Sequence, residues 1–165
     1  MKEEVKKALE ELKWLIENKL VNKAGRAMDL IDEVRADIED GFIEDAVEKA
    51  VELWQILLEM LIIRFVAEEK MKRLERKTKL KVEEVKDVMW IVNNVEQIVR
   101  ENMEKGARYL LRYLGDERIS IYTYMALMLK ESLETGRTAG MEVKAYRITH
   151  VVEEMLKDYF LDLIP

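Results

Sequence analysis

The stretch LWQILLEMLIIRFVA, from Leu53 to Ala67, decides the fold because a helix built from it would be apolar around most of its circumference. Its polar members are Gln55, Glu59 and Arg64. Such a helix must be surrounded by lipid or by protein. A membrane span needs about 20 apolar residues, and this stretch is shorter and carries two charges. We therefore predict that protein surrounds it on every side.

The composition predicts a helical protein. Ala, Leu, Glu, Lys, Arg and Met dominate the 165 residues, and the single proline stands at the C-terminus. Half of the chain is apolar and 38% is charged, which is typical of a globular domain rather than a disordered segment. No Pro- or Gly-rich linker interrupts the sequence. We predict one all-α domain over residues 1–165, an antiparallel helical bundle of about six or seven helices with one long central helix.

The spacing of apolar residues and the positions of glycines indicate where the helices lie. The first stripe ends near Asn22, Gly25 bends or ends that helix, and a second stripe runs from Met28 to Asp40. A long helix then extends from Phe42 to the mid-70s, and TKLKVEE is a connector. Gly106 is expected to cap the fourth helix. The predicted helices cover residues 2–22, 28–40, 42 to about 75, 85–103, 107–114, 120–134 and 141–163.

The length of the central helix predicts a homodimer. More than 30 helical residues make a rod about 50 Å long, whereas a compact domain of this size is about 40 Å across. One end should project, and pairing of two chains would cover part of the apolar stripe. The alternative is a monomer whose own helices wrap the rod, with Trp14, Trp54 and Trp90 in the core. Under either arrangement the candidate interface or core residues are Trp54, Leu57, Leu58, Leu61 and Phe65.

Charge is unevenly distributed along the chain. Residues 1–69 carry a net charge of −8 and residues 70–118 a net charge of +4. The strongest basic feature follows the apolar stretch directly, and a second group of cations alternates with Tyr109 and Tyr113. Cations with interleaved aromatic rings suit phosphates and unpaired bases. Two alternatives stay open, a solvated helix end and a surface that pairs with the acidic half of the chain. The candidate nucleic-acid-binding residues are Lys70, Lys72, Arg73, Arg76, Lys77, Lys79, Lys81, Arg108 and Arg112.

No catalytic motif is recognisable, and we expect neither a cofactor nor a metal. The acidic stripe, defined as Asp29, Glu33, Asp37 and Asp40, lines one helix face and has the oxygen ligands that a hard cation needs. We expect it to be a solvated face. The single His150 is expected at the surface or at the edge of the core.

The hairpin sequence ADIEDGFIEDAVEKAVELWQILLEML, residues 36–61, resembles the hairpin of HEPN-type proteins of archaea and bacteria. The matching features are Asp40-Gly41-Phe42 followed by Ala46 and Ala50. The resemblance covers about a sixth of the chain and implies a dimeric helical bundle that acts on or binds RNA. The catalytic Arg of that family precedes its His by a longer spacing than Arg147 and His150 have, which speaks against nuclease activity. A capping glycine followed by small alanines also suits helical hairpins in general.

Three functions follow as expectations. The first is a non-catalytic binding or assembly protein that interacts through the long helix and its basic end. The second is an RNA- or DNA-associated protein that uses the 70–81 segment with Arg108 and Arg112. A metal-dependent enzyme that uses the acidic stripe ranks last. The absence of cysteine and of an apolar signal segment favours a cytoplasmic protein, and heavy use of Glu and Lys with few Ser and Gln favours a heat-adapted source.

Overall fold

The apolar stretch lies in a helical rod at the centre of the bundle. In the computed structural model, which describes residues 2–165, α2 (Ile43–Ile62), a π-helical turn (Ile63–Ala67) and α3 (Glu68–Glu75) follow one another without a break. These pieces of 20, 5 and 8 residues make a rod about 50 Å long at 1.5 Å per residue. The predicted long central helix is confirmed.

The other helices surround this rod. With the rod counted as one helix, residues 2–165 form seven helices and no strand, as the sequence predicted. The 3-10 turn Leu161–Leu163 follows the last helix. The helices outside the rod are α1 (Glu3–Glu39), α4 (Val82–Asn93), α5 (Val95–Glu101), α6 (Met103–Leu114), α7 (Glu117–Thr135) and α8 (Glu142–Tyr159).

Helix α1 runs antiparallel to the rod. Lys49 of α2 lies 2.8 Å from Asp37, and Glu59 lies 2.7 Å from Lys23, so residue numbers rise along one helix as they fall along the other. Gly41 joins the two helices at φ +82°, a left-handed conformation that glycine adopts without a steric penalty. Helices α5, α6, α7 and α8 contact α2 on its other sides, and α4 packs against α1 and the π-helical turn.

The chain's own helices enclose the apolar stretch. Leu57, Leu58 and Leu61 have no exposed surface, and the buried indole N–H of Trp54 donates to Thr123 Oγ1 at 2.9 Å. Phe65 is half-buried and stacks edge-to-face on Tyr159, with ring centroids 5.3 Å apart. The prediction that protein surrounds the stretch on every side holds within one chain. Its coverage needs no second subunit.

The first predicted break is wrong, because α1 continues through Gly25. The two predicted apolar stripes form one continuous stripe, because the buried residues Ala24 and Ala27 continue the helical spacing between Leu20 and Ile31. Small alanines allow close packing of α1 on the rod and add little apolar signal to the sequence. A single glycine costs about 1 kcal/mol within a helix, too little to interrupt one that is packed along its whole length.

The helix predicted for residues 85–103 is two helices, and its predicted cap is wrong. It breaks at Asn94, whose side-chain N–H donates to the Trp90 carbonyl at 2.7 Å. It ends at Asn102, which caps α6 by accepting a hydrogen bond from the Lys105 backbone N–H at 3.0 Å. Gly106 consequently lies inside the first turns of α6, where it is buried. An asparagine accepts exposed backbone N–H groups better than a glycine can.

Trp14 and Trp90 are exposed, whereas the monomer alternative placed them in the core. The side chains of Trp14 and Trp90 are 62% and 59% exposed, so only Trp54 among the three is in the core. Both exposed residues stand opposite the buried stripe of their own helix.

Candidate binding cleft

The basic run, residues 70–81, forms the C-terminal end of the rod and the segment that follows it. Lys72 is close to Glu68 and Glu69, at 3.5 and 3.8 Å, and Lys77 pairs with Glu84 at 2.7 Å. Within residues 2–165 the other cations of the run contact no carboxylate within 4 Å. They keep their full charge available to a partner, and they are Lys70, Arg73, Arg76, Lys79 and Lys81.

Helix α6 carries the second group of cations. Arg112 is not paired with a described carboxylate, and Arg108 has only a 3.5 Å contact to Glu104, with both side chains more than 60% exposed. Exposed pairs of this kind contribute little. Tyr109 and Tyr113 stand one turn apart on the same helix, with ring centroids 5.2 Å apart and hydroxyl oxygens 3.3 Å apart. That hydrogen bond raises the pKa of Tyr109.

A cleft of about 890 Å³ opens beside these side chains. Its apolar lining comes from Ile62 and Val66 of the rod together with Ile91 and Ile98, and Gly106 lines it from α6. Lys105, Arg108, Tyr109 and Arg112 stand on the α6 side, and Glu101 and Asn102 complete the lining. Three cations therefore face one carboxylate around an apolar interior. The volume falls within the range of about 300–1,000 Å³ typical of ligand pockets.

Two local irregularities shape this cleft. The π-helical turn places one extra residue between Ile62 and Ala67, and both rod residues of the lining, Ile62 and Val66, lie at that turn. The break at Asn102 turns the chain so that α6 can pack beside α2. π-Helical turns inside α-helices occur frequently at functional sites.

The cleft and the basic run belong to one side of the rod. Lys70 follows Val66 by four residues and Arg73 follows it by seven, which is the spacing of residues on one helical face. This spacing places Lys70 and Arg73 on the face of the rod that carries Val66, although no residue of the 70–81 run lines the cleft itself. We call this combined surface the basic surface. It comprises Lys70, Arg73, Arg76, Lys77, Lys79, Lys81, Lys105, Arg108 and Arg112.

Lys105 and the cleft itself were missed by the sequence analysis. Val66, Ile91 and Ile98 each look like ordinary core residues in their own helices. The cleft lies where residues of α4, α5 and α6 meet the rod at Ile62 and Val66, which are themselves 4% and 3% exposed, and nothing in the spacing of one helix reports that meeting.

Two of the four carboxylates of the acidic stripe, Glu33 and Asp37, are held in ion pairs. Lys49 lies 2.8 Å from Asp37 and 3.9 Å from Glu33, and Arg26 donates to Glu33 at 3.1 Å. Within the described part of the chain no group of three or more His, Asp or Glu side chains is arranged to hold a metal ion. These carboxylates lie on α1 and α1's junction with α2, away from the basic surface.

His150 is exposed on α8, as expected, and stacks edge-to-face on Tyr146 at 4.8 Å. Neither residue lines the cleft. In the hairpin that resembles HEPN-type proteins, Ala46 and Ala50 are buried against neighbouring helices, whereas Phe42 is 58% exposed. The glycine and the alanines are thus accounted for by the close turn and packing of two helices.

Glu59, the one carboxylate inside the apolar stretch, is buried and belongs to an ion-pair network whose other members are partly exposed. Lys23 donates to Glu59 at 2.7 Å and to Glu96 at 2.8 Å, and Lys19 donates to Glu96 at 2.8 Å. Burial raises the pKa of Glu59, while the Lys23 contact opposes this rise. Burial also acts on Glu96, but the hydrogen bonds from Lys19 and Lys23 lower its pKa to about 2. The network fixes α1, α2 and α5 relative to one another.

A second network holds the α6–α7 turn against α8. Asp116 caps α7 by accepting from the Arg118 backbone N–H at 3.0 Å, and the Tyr159 hydroxyl donates to it at 2.6 Å. The Arg118 guanidinium also donates to Asp116 and to Asp158. The guanidinium contact, the Tyr159 hydroxyl and the backbone N–H together lower the pKa of Asp116 to about 2, against the effect of its partial burial.

Among residues 2–165 there is no helix with both the length and the apolar character to cross a membrane. Comparison with known protein families, with curated proteins and with solved structures finds no match to this chain.

Proposed function

We propose that this protein is a non-catalytic binding protein that holds single-stranded nucleic acid on the basic surface. The observation that carries the proposal is the cleft, where three cations of α6 stand beside an apolar interior and an exposed tyrosine pair. Single strands are bound by cations that follow the phosphates and by aromatic or apolar surfaces that take the bases. We propose binding without catalysis, because the cations and aromatic rings that make up this surface are groups that hold a strand.

The distribution of charge supports a strand that follows the rod. The chain as a whole has a net charge of −6, which repels a polyanion from most of its surface. The cations of α6 line the cleft, and Lys70 and Arg73 of the rod end follow Val66 by one and two helical turns. A strand about 12 nucleotides long is within the usual site size for single-strand binding and can contact both groups. An acidic protein segment is the competing partner for the same cations.

Binding of labelled strands to matched double variants tests the proposal. We expect Arg73→Ala with Arg76→Ala, and separately Arg108→Ala with Arg112→Ala, to lower the affinity for single-stranded RNA by about tenfold or more at about 50 mM salt. Each lost phosphate contact should also reduce the slope of log affinity against log salt by about 0.7. Arg137→Ala with Arg147→Ala is the control, since it removes two exposed cations from the end of the bundle where α7 meets α8, beside Arg35 of α1 and away from the rod end and α6.

Three results would go against nucleic acid. The first is equal affinity of all three double variants, and the second is no measurable RNA binding at low salt. The third is tighter binding of polyglutamate than of RNA. That result would indicate that the basic surface binds an acidic protein partner, as expected of a binding or assembly protein.

A homodimer is a second proposal, and a different surface supports it. On the outer face of α1, Trp14, Asn18, Val21 and Gly25 follow one another at spacings of four, three and four residues. Trp14 and Val21 are 62% and 56% exposed, and a Cβ on Gly25 would meet nothing within 4 Å. Two antiparallel copies of α1 related by a two-fold axis near residues 19 and 20 would place Trp14 of one over Gly25 of the other. In the same register Lys7 of one copy would face Asp32 of the other, and these two side chains carry opposite charges.

Sedimentation of tryptophan variants tests the dimer. Trp14→Ser should shift the mass from dimer to monomer, whereas Trp90→Ser, which removes a tryptophan of nearly equal exposure from α4, should leave it unchanged. A monomeric wild-type protein at about 100 μM, or equal effects of the two substitutions, would refute pairing through α1.

Cytoplasmic location and a heat-adapted source also stay proposals. The lack of cysteine and the extended ion-pair networks around Glu96 and Arg118 support them. A melting temperature within the mesophile range of about 45–65 °C would contradict the heat-adapted source.

A further inference from the structure

The interior of the cleft differs chemically from the rest of the basic surface. Phosphates need only the exposed cations of the rod end and α6, and these would bind any polyanion. The cleft adds an apolar wall made of Ile62, Val66, Ile91 and Ile98. An apolar recess is of no use to a phosphate, but it suits the face of an unstacked base.

Gly106 keeps this recess open. It lies on a buried helical turn, and a Cβ at its position would meet only Ile62 Cδ1, at 3.9 Å. An alanine therefore fits without displacing any atom. Because Gly106 lines the cleft, we expect a much larger side chain at this position to take up part of its volume.

The polar groups at the edge are arranged for a nucleotide rather than for an apolar ligand. Lys105, Arg108 and Arg112 follow one another at spacings of three and four residues, so they project from one side of α6. Tyr109 stands among them and lines the same cleft, with its ring held edge-to-face by Tyr113. A base against the apolar wall thus has an aromatic neighbour and cations within reach of its phosphate.

We infer that the cleft is a base-binding pocket that takes one or two unstacked bases of the bound strand, with their phosphates at Arg108 and Arg112. This inference rests on the proposed function and adds to it a discrimination between strands with exposed bases and other polyanions. Duplexes, whose bases are stacked and paired, reach the cations but not the pocket.

Wild-type protein and an abasic strand test the pocket without any substitution. An oligonucleotide of ribose phosphates without bases carries the same charge as normal RNA of equal length. We expect it to bind about tenfold more weakly than normal single-stranded RNA, with the same salt slope. Equal affinity for the two strands would overturn the inference while leaving the proposed function intact. If neither strand binds at low salt, both fall.

Gly106 supplies a matched pair of variants. Gly106→Phe should reduce the affinity for normal single-stranded RNA to that of the abasic strand, and Gly106→Ala should stay within about twofold of wild type. Neither substitution changes the charge, so duplex RNA should bind both variants equally. Wild-type affinity of a folded Gly106→Phe protein would overturn the inference. If Gly106→Phe does not fold, Tyr109→Ala takes its place, because Tyr109 is exposed on α6 and is expected to discriminate in the same direction.

Discussion

Lys23→Met should destabilise the protein strongly, because it leaves the carboxylate of Glu59 buried and unpaired. Glu59 is 3% exposed and has Lys23 as its ion-pair partner at 2.7 Å. Removing one partner of a buried pair typically costs about 3–5 kcal/mol, a large part of the total stability of about 5–15 kcal/mol expected for a domain. We expect a loss of this size in urea unfolding at pH 7.

The pH dependence of this loss identifies its cause. Burial already raises the pKa of Glu59 in the folded protein, and loss of Lys23 removes the contact that opposes this rise. A group whose folded pKa is raised stabilises the folded state below its unfolded pKa, near 4.3, and this contribution is lost as the pH rises through the folded pKa. The deficit of Lys23→Met should therefore shrink as the pH is lowered from 7 to about 4.

Two further variants make the test specific. Lys19→Met leaves Glu96 paired with Lys23 and removes a contact between partly exposed side chains, so it should cost less than about 1 kcal/mol. Lys23→Met combined with Glu59→Leu should recover most of the lost stability, because an apolar pair replaces a buried ionic one. A deficit for Lys23→Met that is below 1 kcal/mol, or one that is the same at pH 4 and pH 7, would refute this explanation.

The remaining predictions concern the core and the α7 cap. Leu57→Asp should cost several kcal/mol or prevent folding, because Leu57 has no exposed surface and the new charge would have no partner; an unchanged melting temperature would show that the rod is not enclosed. Asp116→Asn should cost about 1–3 kcal/mol at pH 7, since it weakens charge-assisted hydrogen bonds from Arg118 and Tyr159. The pKa of Asp116 is lowered to about 2, so its contribution is present above the unfolded pKa near 3.9 and is lost as the pH falls towards 2. Thermal melts at both pH values check this, and a deficit that persists at pH 2 would contradict it.

Much of the fold could be predicted because the sequence of the rod has one physical solution. A stretch that is apolar all round and too short for a membrane must be enclosed by other helices, and Trp54, Leu57 and Leu61 are enclosed. The helix boundaries were harder. Gly25 interrupts the stripe of large apolar residues, but tertiary packing through Ala24 and Ala27 preserves the helix. Asn94 and Asn102 are modest signals on their own, and they end helices because their side chains satisfy backbone groups there.

The candidate site could be predicted in its charges and not in its shape. The 70–81 run and the residues Arg108 and Arg112 stand out as cations in the sequence, since the rest of the chain is acidic. That Arg108 and Arg112 line a cleft beside Ile62 and Val66 depends on where α6 packs relative to the rod. The π-helical turn from Ile63 to Ala67 contains no proline or glycine that would indicate it in the sequence. Ion pairs such as that of Lys77 with Glu84 also neutralise part of the charge of the 70–81 run. A count of basic residues therefore overstates the charge that is available to a partner.

The most direct test of the account is a titration of wild-type protein with labelled single-stranded RNA of about 12 nucleotides at several salt concentrations. The account predicts binding at about 50 mM salt that weakens steeply by 200 mM, with a log–log slope near −2 or steeper, because at least three unpaired cations should each contact a phosphate. Binding that is absent at low salt, or an affinity that does not change with salt, would contradict it.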